Sequence, residues 1–388
     1  MAPELTADSK LQSVLRTAGS RQNLPGQNLL GLTRAELEQF AVACGQPRFR
    51  GAQLYLGIYN RRERDFARLT DLGRGFREFL ASSYSAAYPT VEREFVSRDG
   101  SVRYLLGLED GSAIEAVYMP EENRATLCLS SQVGCAVDCR FCFTALGGVK
   151  RNLTAGEIVG QALAIADAQR IAPKPRLNVV FMGQGEPLLN LGPVMKAVNI
   201  LADEAGCGVA LRRITISTSG IVPRIYDLGR EPARPKLAVS LNASTDEQRT
   251  ALMPINRKYP LRDLLGACRA YPLRPRERLT FEYVLLDGLN DSEADAARVA
   301  ALLRGIPSRV NLIPYNPGEG LPYRPSPLAR VLKFQQALKK RQVPAFIRIS
   351  RGRDIMAACG QLSLADRLRP QLQTNAESLK SLDRTSPR

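Results

Sequence analysis

Cys135-Ala-Val-Asp-Cys139-Arg-Phe-Cys142 is the stretch from which the rest of this chain can be read. Thiols at i, i+4 and i+7 converge only if a loop wraps around a common centre, so the segment describes a metal-binding loop. A structural zinc site takes four protein ligands, and iron-sulfur clusters commonly take four cysteines. Three close together leave one metal position open to a substrate or cofactor. A zinc knuckle completed by Cys128 or by a distant cysteine is the competing reading.

Around this loop, short β-branched runs alternate with helical patterns. Strands are expected at 125–129, 177–182, 213–217, 236–241, 279–286, 309–314 and 345–349, with helices near 193–202, 261–269, 292–303 and 329–342. Thr154-Ala-Gly-Glu157 is a capping box that opens another helix. Such alternation implies parallel strands joined by right-handed crossovers, hence an α/β barrel or open sheet over 125–365. The unusual residues collect at the carboxyl ends of these strands: the cysteine loop, Gly183-Gln-Gly185-Glu186-Pro187, Ser217-Thr-Ser-Gly220, Ser240-Leu-Asn242 and Pro314-Tyr-Asn316-Pro317. Barrel enzymes build their sites on that face. The two glycines before Glu186 suggest close backbone approach to a cofactor amine, with Glu186 as its charged partner.

Upstream, 1–25 reads as a flexible polar tail and 26–90 as a small helical domain, opened by the capping box Thr33-Arg-Ala-Glu36. Arg48, Arg50, Arg61, Arg62, Arg64 and Arg68 stud it, a pattern that suits either RNA contact or a solvated face. Residues 91–124 read as an extended linker with a hairpin turning at Glu109-Asp-Gly111. Residues 366–388 read as a C-terminal tail.

Composition narrows the chemistry. Among 388 residues there is no histidine, which removes Ser-His and Cys-His nucleophiles and His-metal sites. The net charge of +16 points to a polyanionic partner. No signal peptide or membrane-spanning run is evident, so a cytosolic home is expected. There the eight cysteines stay reduced. Cys359, in the small-residue segment Met356-Ala-Ala-Cys359-Gly360, is a candidate reactive thiol on a mobile loop. Glu115 reads, on residues alone, as an exposed strand position.

The cysteine spacing, with an aromatic before its last member, resembles the radical S-adenosylmethionine (SAM) superfamily. Over 26–365 the likeness is closer: Cys128-Leu-Ser-Ser-Gln-Val-Gly-Cys135, Arg151-Asn-Leu-Thr154, Gly185-Glu-Pro-Leu-Leu-Asn190, Pro254-Ile-Asn256, Phe281-Glu-Tyr283, Asn311-Leu-Ile-Pro-Tyr-Asn316 and Ala358-Cys-Gly-Gln-Leu362 resemble the RlmN/Cfr family of adenine-C2 RNA methyltransferases. The resemblance implies a partial (β/α)6 barrel of the TIM-like radical SAM type, with a small N-terminal helical RNA-binding domain. It implies a [4Fe-4S] cluster on Cys135, Cys139 and Cys142, and a SAM site formed by Gly185, Glu186, Ser217, Ser240, Leu241, Asn242 and Asn316. Two SAM molecules would be used per turnover. Cys359 would carry the methyl group, Cys128 would release the product by forming a disulfide with Cys359, and Glu115 would be the proton acceptor. Partners implied are ribosomal and/or transfer RNA and an electron donor such as flavodoxin or ferredoxin, acting on a monomer.

Two positions depart from the family pattern: Asn242 stands where His is usual, and Gln184 where an apolar residue is usual. The residues leave open C8 rather than C2 of adenine, a radical SAM enzyme with another substrate, and a non-catalytic RNA-binding protein stabilised by metal.

Overall fold

A computed structural model describes residues 27–171, 176–318 and 320–363. The tails read at 1–25 and 366–388 lie outside the described residues. The centre is a ten-stranded sheet whose strands follow in sequence order: β1 (Thr90–Val96), β2 (Val102–Gly107), β3 (Ala113–Glu121), β4 (Arg124–Cys128), β5 (Leu177–Phe181), β6 (Ile214–Thr218), β7 (Lys236–Ser240), β8 (Leu279–Leu285), β9 (Ser308–Pro314) and β10 (Ala345–Ile347). From β4 to β10 every pairing is parallel. From β1 to β4 every pairing is antiparallel. The outermost strands, β1 and β10, do not pair with each other, so the sheet is a partial barrel.

Helices Ala155–Ala168, Leu191–Ala202, Val222–Arg230, Leu261–Ala270, Glu293–Leu302 and Leu328–Lys340 connect the parallel strands. The capping box at Thr154 and Glu157 is made in both directions. Val222–Arg230 and the shorter Asp246–Leu252 are absent from the sequence expectations. Each buries only two side chains, Ile225 and Leu228 in one, Arg249 and Leu252 in the other, too few to set up a visible period.

The stretch 91–124, read as a linker with a hairpin, supplies three strands of the main sheet. The signal lies in β2, Val-Arg-Tyr-Leu-Leu-Gly, which is buried along nearly its whole length. A hairpin with one wet face alternates, whereas an interior strand covered on both faces does not.

At the N-terminus, helices Arg34–Ala43, Phe49–Tyr55 and Arg74–Ser83 pack Leu37, Phe40, Leu54, Tyr55, Phe76 and Leu80 into the same apolar core as the barrel helices. This unit docks by backbone approach. Gly31 has φ +93°, and a Cβ there would lie 2.3 Å from the Gly156 nitrogen; a Cβ on Gly156 would lie 2.4 Å from the Leu30 oxygen. Tyr59 Oη donates to Leu32 O at 2.8 Å and accepts from Gly31 N at 2.8 Å. Lys196 pairs with Glu36 at 2.7 Å across the same junction. Among the described residues no helix is long and apolar enough to cross a membrane.

Candidate active site

The carboxyl ends of the parallel strands surround a cavity of about 170 Å3, lined by Cys135, Cys139, Cys142, Gly185, Glu186, Ser217, Ser240, Asn242, Asn316 and Cys359. Three expected site residues, Cys128, Glu115 and Leu241, do not line it. A larger cleft of about 400 Å3 opens at the opposite ends of β8 to β10 among Arg278, Arg304 and Arg341, without a cysteine or carboxylate.

The cysteine loop is shaped by a short ribbon beyond β4. Gln132–Gly134 pairs antiparallel with Val149–Asn152 and closes the loop at its base. Within it, Cys139 N donates to Val137 O and Cys142 N to Cys139 O, both at 3.0 Å, so the spacing is realised as tight turns. Phe141 is buried with Leu252, Met253, Leu286 and Tyr315, which anchors the loop beside Cys139 and Cys142. Burial pushes the Cys135 thiol up to about 12 and the Cys139 thiol well above its ordinary value, and the neighbouring thiols push in the same direction. Metal coordination deprotonates such thiols outright. Val137 N also donates to Cys135 Sγ at 3.4 Å, the kind of bond that seats cluster sulfurs. No three His, Cys, Asp or Glu side chains among the described residues converge on a single ion position. Three cysteine thiols lining one cavity are a donor set of the kind that iron-sulfur clusters take.

Cys359 reaches the cavity on the segment after β10. Expected to be a mobile loop, that segment is tied down on several sides. Phe143 N donates to Gly360 O at 2.8 Å, Thr144 Oγ1 to Leu362 O at 2.6 Å and Gln361 Nε2 to Pro317 O at 3.0 Å. At its start, Gly352 N donates to Asp99 at 2.9 Å and Ser97 Oγ to Asp354 at 2.6 Å. Cys128 packs with Val117, Ala357 and Leu362 in a small apolar cluster apart from the main core. Burial pushes its thiol up to about 12; the charge of Cys359 adds to this and Arg348 opposes it. Both thiols are free, so the disulfide implied by the resemblance is not formed in this structure.

Glu115 is fully buried, which corrects its reading as an exposed strand residue. It lies two residues from Val117 on the same face of β3, a strand flanked on both sides. Its carboxylate pairs with Arg103, whose guanidinium sits 4.0 Å from the centre of the Phe95 ring. Gln184 completes the setting: its Oε1 accepts from Glu115 N at 3.2 Å and its Nε2 donates to Glu115 Oε2 at 3.4 Å. Ser130 Oγ donates to Glu115 O at 2.6 Å and accepts from Gln184 N at 2.8 Å. The polar residue that departs from the family pattern is thus the partner of Glu115.

The other departure has a conformational reason. Asn242 has φ +55°, a left-handed geometry that Asn and His both tolerate better than most residues. Its Oδ1 accepts from Val284 N at 2.9 Å and its O from Asn290 Nδ2 at 2.8 Å. The neighbouring Leu241 turns its side chain into the core, as strand alternation requires between Ser240 and Asn242. Glu186 is also internally engaged: its oxygens accept from Leu188 N at 3.0 Å and from Ser219 N and Oγ at 2.7 Å. A Cβ on Gly185, φ +99°, would lie 2.6 Å from Gln132 Cβ, so the glycine admits the strand-end backbone beside it.

Arg249 escapes sequence reading because it lies on a short polar helix. Fully buried, it donates through Nε to Leu241 O at 3.2 Å, through Nη2 to Ser219 O at 2.6 Å and Ser240 O at 3.1 Å, and through Nη1 to Asn256 Oδ1 at 3.0 Å. One guanidinium thereby ties the loops after β6 and β7. Most arginines of the N-terminal unit are likewise committed: Arg48 to Glu38, Arg61 to Asp71 and Arg68 to Glu63, while Arg62 binds Asp167 and the Ile171 carbonyl of the barrel.

The Radical SAM superfamily matches residues 129–300, and the ribosomal RNA large subunit methyltransferase N-terminal domain matches residues 27–85. A probable dual-specificity RNA methyltransferase RlmN of Koribacter versatilis is 52% identical over 82% of this chain and 96% of its own length. The dual-specificity RNA methyltransferase RlmN of Paracoccus denitrificans is 48% identical over 88% and 90%. The crystal structure of a radical SAM methyltransferase from Sphaerobacter thermophilus superposes with a TM-score of 0.82 at 46% identity, covering 87% of this chain and 99% of that one.

Proposed function

The chain belongs to the family of dual-specificity RNA methyltransferases RlmN, radical SAM enzymes, and on that footing we propose how its residues divide the work of methylating C2 of adenine in ribosomal and transfer RNA. Cys135, Cys139 and Cys142 would hold a [4Fe-4S] cluster, which would supply the electron for radical chemistry at an electron-poor ring carbon, with two SAM molecules used per turnover, one of them as methyl donor. Gly185, Glu186, Ser217, Ser240, Asn242 and Asn316 form the SAM seat, to which Leu241 contributes backbone alone. Cys359 Sγ takes the methyl group as a thioether and presents it to the base. Cys128 Sγ then bonds to Cys359 Sγ as the bond from Cys359 Sγ to the product methylene breaks; the electron pair stays on that carbon, which takes the proton given up by the Cys128 thiol and becomes the methyl group, and a thiol reductant reopens the disulfide for the next turnover. Glu115 accepts the proton lost from C2, and Arg103 and Gln184 orient its carboxylate.

The observation that carries this reading is the shared location: Cys359 and the three cluster thiols line one cavity, and Cys128 packs beside the segment that bears Cys359. The basic N-terminal unit receives the RNA. The enzyme works as a cytoplasmic monomer, reduced by a flavodoxin or ferredoxin.

The two thiols have different tasks, so their alanine variants fail differently. Cys359→Ala should leave RNA free and unmodified. Cys128→Ala should remain covalently attached to RNA on a denaturing gel, with a nucleotide adduct on the Cys359 peptide after nuclease digestion. A Cys128→Ala protein free of RNA and fully active would overturn the assignment.

A further inference from the structure

One wall of the cavity carries a carboxylate and a guanidinium that no role above uses. Glu282 on β8 is 5% exposed and lines the cavity. Its Oε1 accepts from Asn311 Nδ2 at 3.0 Å, which fixes the carboxylate, while its Oε2 has no hydrogen-bond partner among the described residues. Buried acceptors in native proteins are nearly always satisfied, and an orphan on a cavity wall marks the place of a ligand donor. Arg348, just past β10, lines the same cavity, and its guanidinium bonds from Nη1 to the weakly accepting Met182 Sδ at 3.4 Å. Cys359 and Glu282, which line the cavity with it, and Cys128 all favour its charged form, which places it at the thiol end of the cavity.

An unfilled acceptor beside an under-used donor defines what fits between them. Adenine presents on one edge the N6 amino donor next to a ring-nitrogen acceptor, whereas guanine presents O6, an acceptor that would face the carboxylate. Enzymes that act on a base take it out of its stack and read its edge in the pocket. Next to Cys359, the group to be read is the base being modified.

We propose that Glu282 and Arg348 are the specificity pair for the target base: Glu282 Oε2 accepts from the 6-amino group of adenine, and Arg348 donates to the neighbouring ring nitrogen. The proposal rests on the reading of this cavity as an adenine-methylating site. It assigns adenine-over-guanine discrimination to two side chains of the barrel, independently of how the N-terminal unit holds the RNA.

The test uses reconstituted enzyme and substrate stem-loops carrying adenosine or purine riboside, which lacks the 6-amino group, at the target position. Methylation of the adenosine stem-loop by the wild type is measured first; its absence would sink the functional reading itself. Deleting the amino group should cost the wild type about 10-fold or more in RNA affinity and kcat/KM, as loss of a good base contact does. The same deletion should cost Glu282→Leu less than about 2-fold, with Glu282→Gln, which keeps the volume and an acceptor, in between. SAM affinity, measured by equilibrium dialysis, should be unchanged in both variants. An equal penalty in wild type and variants, no penalty in the wild type, or a parallel loss of SAM affinity would each overturn the proposal. Among 1-deaza- and 7-deazaadenosine, one should penalise the wild type and spare Arg348→Gln; if neither spares it, Arg348 does not touch the ring.

Discussion

Replacing Arg249 isolates the contribution of one buried guanidinium to the shape of the site. Its four bonds go to three backbone carbonyls and one amide oxygen; among the described residues no carboxylate forms an ion pair with it, and Asp246 supports its charge only from a distance. Burial lowers its pKa to about 10, so it is still charged at pH 7 and carries a desolvation cost that removing it would relieve. Against that relief stand four charge-assisted bonds, each contributing about 1.5–3 kcal/mol net. The balance for Arg249→Met is a loss of about 3–5 kcal/mol, the range for breaking a buried charged network from one side. Lysine reaches one or two of the acceptors, so Arg249→Lys should lose about 2–4 kcal/mol. The loss should be local, because the released carbonyls belong to Ser219, Ser240 and Leu241. Amide exchange in 217–220 and 240–243 should accelerate about 100-fold in Arg249→Met, the equivalent of roughly 3 kcal/mol, while the helices of the N-terminal unit exchange as before. If both variants stay within 1 kcal/mol of the wild type and exchange in the two loops is unchanged, the staple is not what holds them.

Gly31→Ala forces a left-handed residue against the Gly156 nitrogen and should weaken docking of the N-terminal unit by roughly 1–3 kcal/mol or more, seen as new proteolytic cleavage between residues 85 and 90. Gln184→Leu strips Glu115 of two bonds and should lower methylation about 10-fold at unchanged iron content; unchanged activity would show that Gln184 does not position Glu115. Burial alone would raise the carboxyl of Asp99, but the N–H groups of Gly352 and Ser101 outweigh it and hold it at about 2, below the ordinary 3.8. Its stabilisation is therefore present above about pH 4 and lost as the pH falls through 2. Pepsin should nick the segment 351–362 across that window, and Asp99→Asn should show the same weakness at neutral pH with trypsin.

The parallel part of the barrel was legible because strands covered by helices are nearly continuous apolar runs and its first helix opens on a capping box. The cysteine loop was legible for a different reason: ligand spacing is local in sequence. What failed was whatever depends on partners far along the chain. Glu115 looked exposed because nothing near it in sequence announces Arg103 across the strand pair or Gln184 sixty-nine residues on. Asn242 departs from the usual His, and the positive φ that both residues tolerate is a feature of the folded backbone that no local pattern shows. The arginines of the N-terminal unit suited either RNA contact or a solvated face, and nothing local announced their pairing with Glu38, Asp71, Glu63 and Asp167. Arg249 had no local signal, and Glu282 had only its place in Phe281-Glu-Tyr283; the hydrogen-bond surroundings of both exist only in the folded chain.

The backbone contact between Gly31 and Gly156 makes the N-terminal unit and the barrel a fixed gauge. Such an instrument has no adjustment: the span from the handle to the aperture is set by two residues too small to permit slack. A side chain at either position would push the two bodies apart, so the distance between the N-terminal unit and the mouth of the cavity is written in two residues that have none.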